Sequence, residues 1–173
     1  MKRELDGNQS ELGTGERTES SGPEWVPAQG WVMLQTGVHF DAVRVVGLLG
    51  EMAAEKLAEV TKGKAGPIVI DWQDRRWGSS CYFLVAPGSA DPFRWPPGIR
   101  PYTGPLRELV AVPAPHGRTF PYEWLSRPTA EAPFVLPEPL HAVLCELTEW
   151  QPLDLPAPTP TPHQEQSSDE SGS

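Results

Sequence analysis

The chain has 173 residues, 21 prolines, 16 glycines and a net charge of −9 at pH 7. That length fits one domain, and the acidic balance argues against a protein that grips nucleic acid generally through its phosphates, which needs a basic patch or stripe. No run approaches the ~18–20 apolar residues of a membrane span, and the MKRELDGNQSEL start lacks the apolar segment of a secretory signal, so a cytoplasmic location without a membrane partner is expected.

In chain order, residues 1–23 are polar and rich in Glu, Gly, Ser and Thr, and residues 152–173 read PLDLPAPTPTPHQEQSSDESGS. Neither composition buries enough apolar surface to offset the entropy of ordering, so both are expected to be disordered tails. Between them, 24–151 is the expected domain. Trp31–Thr36 (WVMLQT) is a candidate strand between Gly30 and Gly37. Asp41 suits a helix N-terminus. The apolar residues Val45, Val46, Leu49, Met52, Ala53, Leu57 and Val60 then recur at helical spacing, so a helix is predicted over about 41–62 with Gly63 as its C-cap. Pro67–Asp71 (PIVID) and Cys81–Ala86 (CYFLVA) read as strands, joined by a turn around Arg75–Ser80 into an antiparallel hairpin. Pro87–Gly104 reads as loop, Arg107–Val112 and Thr119–Leu125 as further strands, and Pro139–Trp150 as a closing helix with proline in its first turn. The order predicts an α+β fold: a mainly antiparallel sheet of four or more strands, with two principal helices on one face.

The two cysteines, Cys81 and Cys145, sit in apolar surroundings and read as reduced, buried thiols rather than a bridge. Cys81 could serve as a nucleophile with His116 as its base. Nothing in the sequence places them together, and a cysteine opening a CYFLVA strand reads as core. His116 lies in a PAPHGRT turn, and His141 on the last helix reads as a boundary residue. Cys and His spacings form no zinc pattern.

The run FDAVRV at Phe40–Val45, the GPIVI strand at Gly66–Ile70, YFLVAPG at Tyr82–Gly88, PGIR at Pro97–Arg100 and VAVP at Val110–Pro113, followed by Arg118-Thr119 and Trp124, together resemble the primase/polymerase domain of the archaeo-eukaryotic primase superfamily. The likeness is greatest to its short members encoded by Streptomyces and related actinobacteria, and it spans about 31–148. In active members of that superfamily carboxylates hold a divalent metal, and the metal neutralises the triphosphate and aligns the attacking hydroxyl. The resemblance places Asp71 at the first acidic position, but Gln73 at its partner's. Asp74 falls one residue late, on the opposite face of a strand. Cys81 stands where the catalytic histidine belongs and Arg100 where a further carboxylate belongs. Asp71 and Asp74 read more simply as capping a strand end and a tight turn. What the resemblance implies is a non-catalytic binding protein with no catalytic residue, metal site or cofactor of its own. Its partner would be a protein, a nucleotide or single-stranded nucleic acid. The alternative is an active nucleotidyltransferase with a displaced metal site.

The binding surface is expected where the 72–79 turn, the 94–100 loop and the 116–124 ending meet, because in the family fold they surround the old nucleotide site. They carry Arg75, Arg76, Trp77, Arg94, Trp95, Arg100, His116, Arg118 and Tyr122, arginines and aromatics in an otherwise acidic chain. Guanidinium forks grip phosphates or carboxylates and rings stack planar groups. The competing reading is that these arginines pair with Asp71, Asp74, Asp91 and Glu123 and only tie loops down. The seven tryptophans, many of them beside turns, could stack bases, form a partner hot spot or cover a small core.

Overall fold

A computed structural model of the chain describes residues 22–74, 76 and 78–151. The two expected tails, residues 1–21 and 152–173 in particular, lie outside them, as do Arg75 and Trp77. The described part is α+β, with seven strands and two helices. The strands are β1 (Trp31–Gln35), β2 (Asp41–Val46), β3 (Ile68–Asp74), β4 (Gly78–Val85), β5 (Arg100–Tyr102), β6 (Leu109–Pro113) and β7 (Tyr122–Ser126). The helices are α1 (Leu48–Val60) and α2 (Pro137–Thr148), and a 3-10 turn runs from Gly104 to Leu106.

The strands form two antiparallel sheets rather than one. β5-β2-β4-β3-β7 make the larger, while β1 and β6 pair only with each other, Met33 opposite Ala111. Pleating sorts the side chains. Val43, Val45, Ile68, Ile70, Cys81, Phe83 and Val85 face α1 and α2, where they meet Ala53, Leu57, Leu140 and Leu144. Ala42, Val69, Leu84 and Tyr102 face the other way, against Val110 and Val112 of β6, with Phe40 filling between. The layers are therefore helices, five-stranded sheet, two-stranded sheet.

The predicted helix over 41–62 is corrected at its start. Asp41–Val46 is a strand, paired on one side with β4 and on the other with β5. Its valines alternate faces instead of following a helical stripe, and β-branched side chains favour that pleated setting. Gly47, at φ +62, ends the strand and lets α1 begin at Leu48. The helix also turns a different stripe inward: Gly50, Ala53, Ala54 and Leu57 are buried, whereas Met52 and Val60 are exposed. A methyl group on Gly50 would stand 2.7 Å from the Val45 carbonyl oxygen and 3.0 Å from the Cys81 sulfur, so glycine is what lets α1 lie against the sheet. Gly63, at φ +80, closes the helix end with its amide donating to the Ala58 carbonyl at 2.8 Å.

The expected 87–104 loop contains β5, too short and too proline-marked to read as a strand. Arg107 has φ +49 and precedes β6 rather than opening it. The hairpin turn is shorter than 75–80, because β4 already starts at Gly78.

Cys81 is fully buried, and burial, with Glu51 adding, pushes its thiol up to about 12. Cys145 is half-buried rather than buried, and burial raises its pKa too. Both are free thiols. Thiol reagents act on the thiolate. In the native protein, dithionitrobenzoate should therefore modify Cys145 and leave Cys81 untouched until the chain unfolds. Equal rates at the two positions would contradict this placement.

Candidate functional site

The segment after β6 turns through Pro115–Thr119, and the Tyr122 amide, donating to the Thr119 carbonyl at 3.0 Å, starts β7. The Phe120–Pro121 peptide is cis. This turn folds back over β7 and the end of β3, leaving an open groove of about 500 Å³ lined by Trp72, His116, Arg118, Phe120, Tyr122, Glu123, Trp124 and Arg127 among others. Two indoles are fixed by their N–H groups. Trp124 Nε1 donates to the Pro113 carbonyl at 2.9 Å, and Trp72 Nε1 donates to Glu123 Oε2 at 3.0 Å. Tyr122 meets the edge of Trp31, ring centroids 5.0 Å apart. Burial, and secondarily the Asp71 charge, raise the Tyr122 hydroxyl above its usual range.

The groove thus holds His116, Arg118 and Tyr122 of the residues singled out from sequence, and adds Trp72, Phe120, Trp124 and Arg127. The tryptophan count pointed at two of these; Arg127 follows β7 with no local signal to mark it.

The other expected members go elsewhere. Trp95 turns to the helix side, its indole N–H donating to the Ala90 carbonyl at 3.1 Å and its ring 5.5 Å from that of His141. Arg94 is exposed, and its carbonyl oxygen lies 2.8 Å from His141 Nε2. Arg100 is on β5, the sheet edge opposite β7, where it pairs with Glu108 at 2.6 Å and lies over the Tyr102 ring. The 94–100 loop and the 116–124 ending therefore do not make one surface. The 94–95 part is drawn under the helices by Trp95, and Arg100 is held at the far edge by pairing with β2. Arg76 lies in the β3–β4 turn, its amide donating to Asp74 Oδ1 at 3.0 Å. Arg75 and Trp77 are outside the described residues. Cys81 and His116 are not brought together: one is sealed beneath α1, the other exposed on the groove rim.

A second polar cluster lies where β2, β3 and β4 run side by side. Arg44 Nη2 and Ser80 Oγ, the latter at 2.5 Å, both donate to Asp74 Oδ2. Burial alone would raise the Asp74 carboxyl; the donors Ser80, the Arg76 amide and Arg44 outweigh it and hold it at about 2. Tyr82, opposite Arg44 in the sheet, is pushed up to about 12 by burial, with Arg44 opposing. Asp71 Oδ1 accepts the Gln73 amide at 2.9 Å. Both aspartates thus hold backbone at the strand end and turn. Among the described residues no three His, Cys, Asp or Glu side chains group to hold a metal ion. Likewise, no helix there is long and apolar enough to cross a membrane.

Comparison with protein-family models, curated proteins and solved structures finds no match.

Proposed function

We propose that this chain is a non-catalytic binding protein on a primase/polymerase-like fold, and that its ligand is anionic with a planar group, held in the groove under the 115–121 turn. The observation that carries this reading is the meeting of Arg118, Arg127 and His116 with Trp72, Phe120, Tyr122 and Trp124 in one open groove, on a chain whose net charge is −9. Guanidinium groups supply paired donors for phosphate or carboxylate, and aromatic faces accept a base or another flat group whatever its sequence. Glu123 does not cancel this charge fully, and it is engaged by the Trp72 indole. The non-catalytic part rests on Asp74, whose carboxylate is bonded to Arg44, Ser80 and the Arg76 amide rather than open to a metal.

Nucleotides, short single strands and acidic partner segments share this chemistry, and titration separates them. Adding mononucleotides, oligothymidylate or a poly-glutamate peptide while following tryptophan fluorescence should quench the signal for one class. Arg118→Ala with Arg127→Ala should weaken that binding about tenfold or more per lost charged contact. No response to any of the three, or full affinity in the double variant, would overturn the assignment. Template-dependent nucleotide incorporation abolished by Asp71→Ala would overturn the non-catalytic part.

A further inference from the structure

The hydrogen bonds of the small sheet decide which amides β1 leaves outside. The Thr36 amide donates to the Glu108 carbonyl at 2.9 Å, and the Ala114 amide donates to the Gly30 carbonyl at 2.7 Å. In an antiparallel ladder the bonded positions alternate, so Val32 and Leu34 bond to β6, while Trp31, Met33 and Gln35 turn their N–H and C=O groups away from it. Among the described residues no strand pairs with that outer edge. The side chains of the same residues are also outward, Trp31 46% and Met33 41% exposed.

Proteins usually guard such an edge with charge, proline or a bulge. β5 is three residues long with Pro101 in its centre, and on β7 the Tyr122 amide is bonded within its own turn. β1, with the sequence WVMLQ, has no charge, no proline and no irregularity in its pairing. Residues 1–21 are dense in charge, Gly and Ser, and residues 152–173 carry a proline at nearly every second position from Pro156 to Pro162; proline cannot donate to a ladder.

We propose that the outer edge of β1 pairs with the β1 of a second copy, antiparallel about a two-fold axis at Met33. That register sets Met33 against Met33 of the other copy and Trp31 against Gln35. Every outward amide and carbonyl of Trp31, Met33 and Gln35 then acquires a partner, as an isologous contact requires. The result is a four-stranded sheet, β6-β1-β1-β6. Its outer rows run from Leu109 through Gln35 and Trp31 to Pro113, and from Ala111 through both Met33 side chains to Ala111, all without charge. An edge without charges also lets two chains of −9 meet where neither presents its own repulsion. A charged partner segment would find no counter-charge there, and a proline-rich one could not complete the ladder. The contact is small against a standard interface, so the dimer should be reversible.

Sedimentation velocity on the full chain from about 10 μM to ~0.5 mM should show mass rising from 19.0 kDa toward twice that value. Met33→Lys places like charges face to face and should hold the chain at monomer mass, and Met33→Glu should do the same. An equimolar mixture of the two variants should recover association, because opposite charges then meet. Amide exchange at Trp31, Met33 and Gln35 should slow with concentration while that at Val32 and Leu34 stays constant. The proposal falls if the wild-type mass stays at 19.0 kDa throughout, or if each charged variant associates as the wild type does. It also falls if the outward amides are protected equally at all concentrations, which would mean that a segment of the same chain fills the edge.

Discussion

Alanine in place of Gly66 will cost about 3–5 kcal/mol of folding free energy, whereas alanine in place of Gly63 will cost only about 1 kcal/mol. Both glycines lie in the connection from α1 to β3 at positive φ, +82 and +80, so both changes carry the strain of a left-handed residue with a Cβ. They differ in what the methyl group meets. At Gly63 nothing lies within 4 Å. At Gly66 the Cβ would stand 2.5 Å from the Phe134 carbonyl oxygen and 2.6 Å from the Val135 amide nitrogen. Those are backbone atoms, and they cannot swing aside. The Val135 amide donates to the Leu84 carbonyl at 2.8 Å, and the Leu84 amide donates to the Pro67 carbonyl at 3.0 Å. Relieving the clash therefore pulls on β4 and on the lead into α2 together. Urea unfolding followed by circular dichroism measures both changes. Equal losses at the two positions would show that the 133–135 segment does not pack on Gly66 as described.

That connection also shows what a reader of sequence could and could not see. Gly66-Pro67 and the apolar PIVI and CYFLVA runs announced β3 and β4, because turn formers bracket β-branched and aromatic residues. The last helix was legible from its proline start and its Leu140, Val143, Leu144 stripe. β2 was not. Its valines are close enough to the true helix that a period of 3.6 can be threaded through both, and only the pairing with β4 and β5 decides for strand. The split into two sheets was equally hidden, since β1 finds β6 across more than seventy residues and no local pattern encodes that choice. The same holds for the site. The 116–124 ending was visible as a motif. That Trp95 would turn its indole to Ala90, and Arg100 would lie at the opposite edge from β7, depended on long-range pairing.

Replacing Asp74 by asparagine is expected to cost about 2–3 kcal/mol at neutral pH. The carboxylate is one-tenth exposed and its partner Arg44 about one-fifth. Arg44 has little other compensation, since its Nε is buried without a hydrogen-bond partner. Removing Asp74 thus leaves a guanidinium inside the sheet without its anion, and takes the charge from the acceptor that serves Ser80 and the Arg76 amide. The pH dependence has a definite sign. In the folded state the carboxyl is held at about 2, below its ordinary 3.8. The unfolded chain therefore binds the proton first as pH falls, and the stabilisation is complete above about pH 5, declines from about pH 4 and is lost as pH passes below about 2. The gap between wild type and Asp74→Asn should accordingly be widest at neutral pH and shrink between about pH 4 and pH 2. A double variant, Arg44→Met with Asp74→Leu, should recover part of the loss, because an apolar pair removes both desolvation costs where a half-pair keeps one. Should Asp74→Asn fall within about 0.5 kcal/mol of wild type, with a gap that does not change between pH 5 and pH 2.5, the pair would be a surface contact of the ordinary weak kind. The carboxylate would then be free for other chemistry, and the non-catalytic reading of the protein would lose its main support.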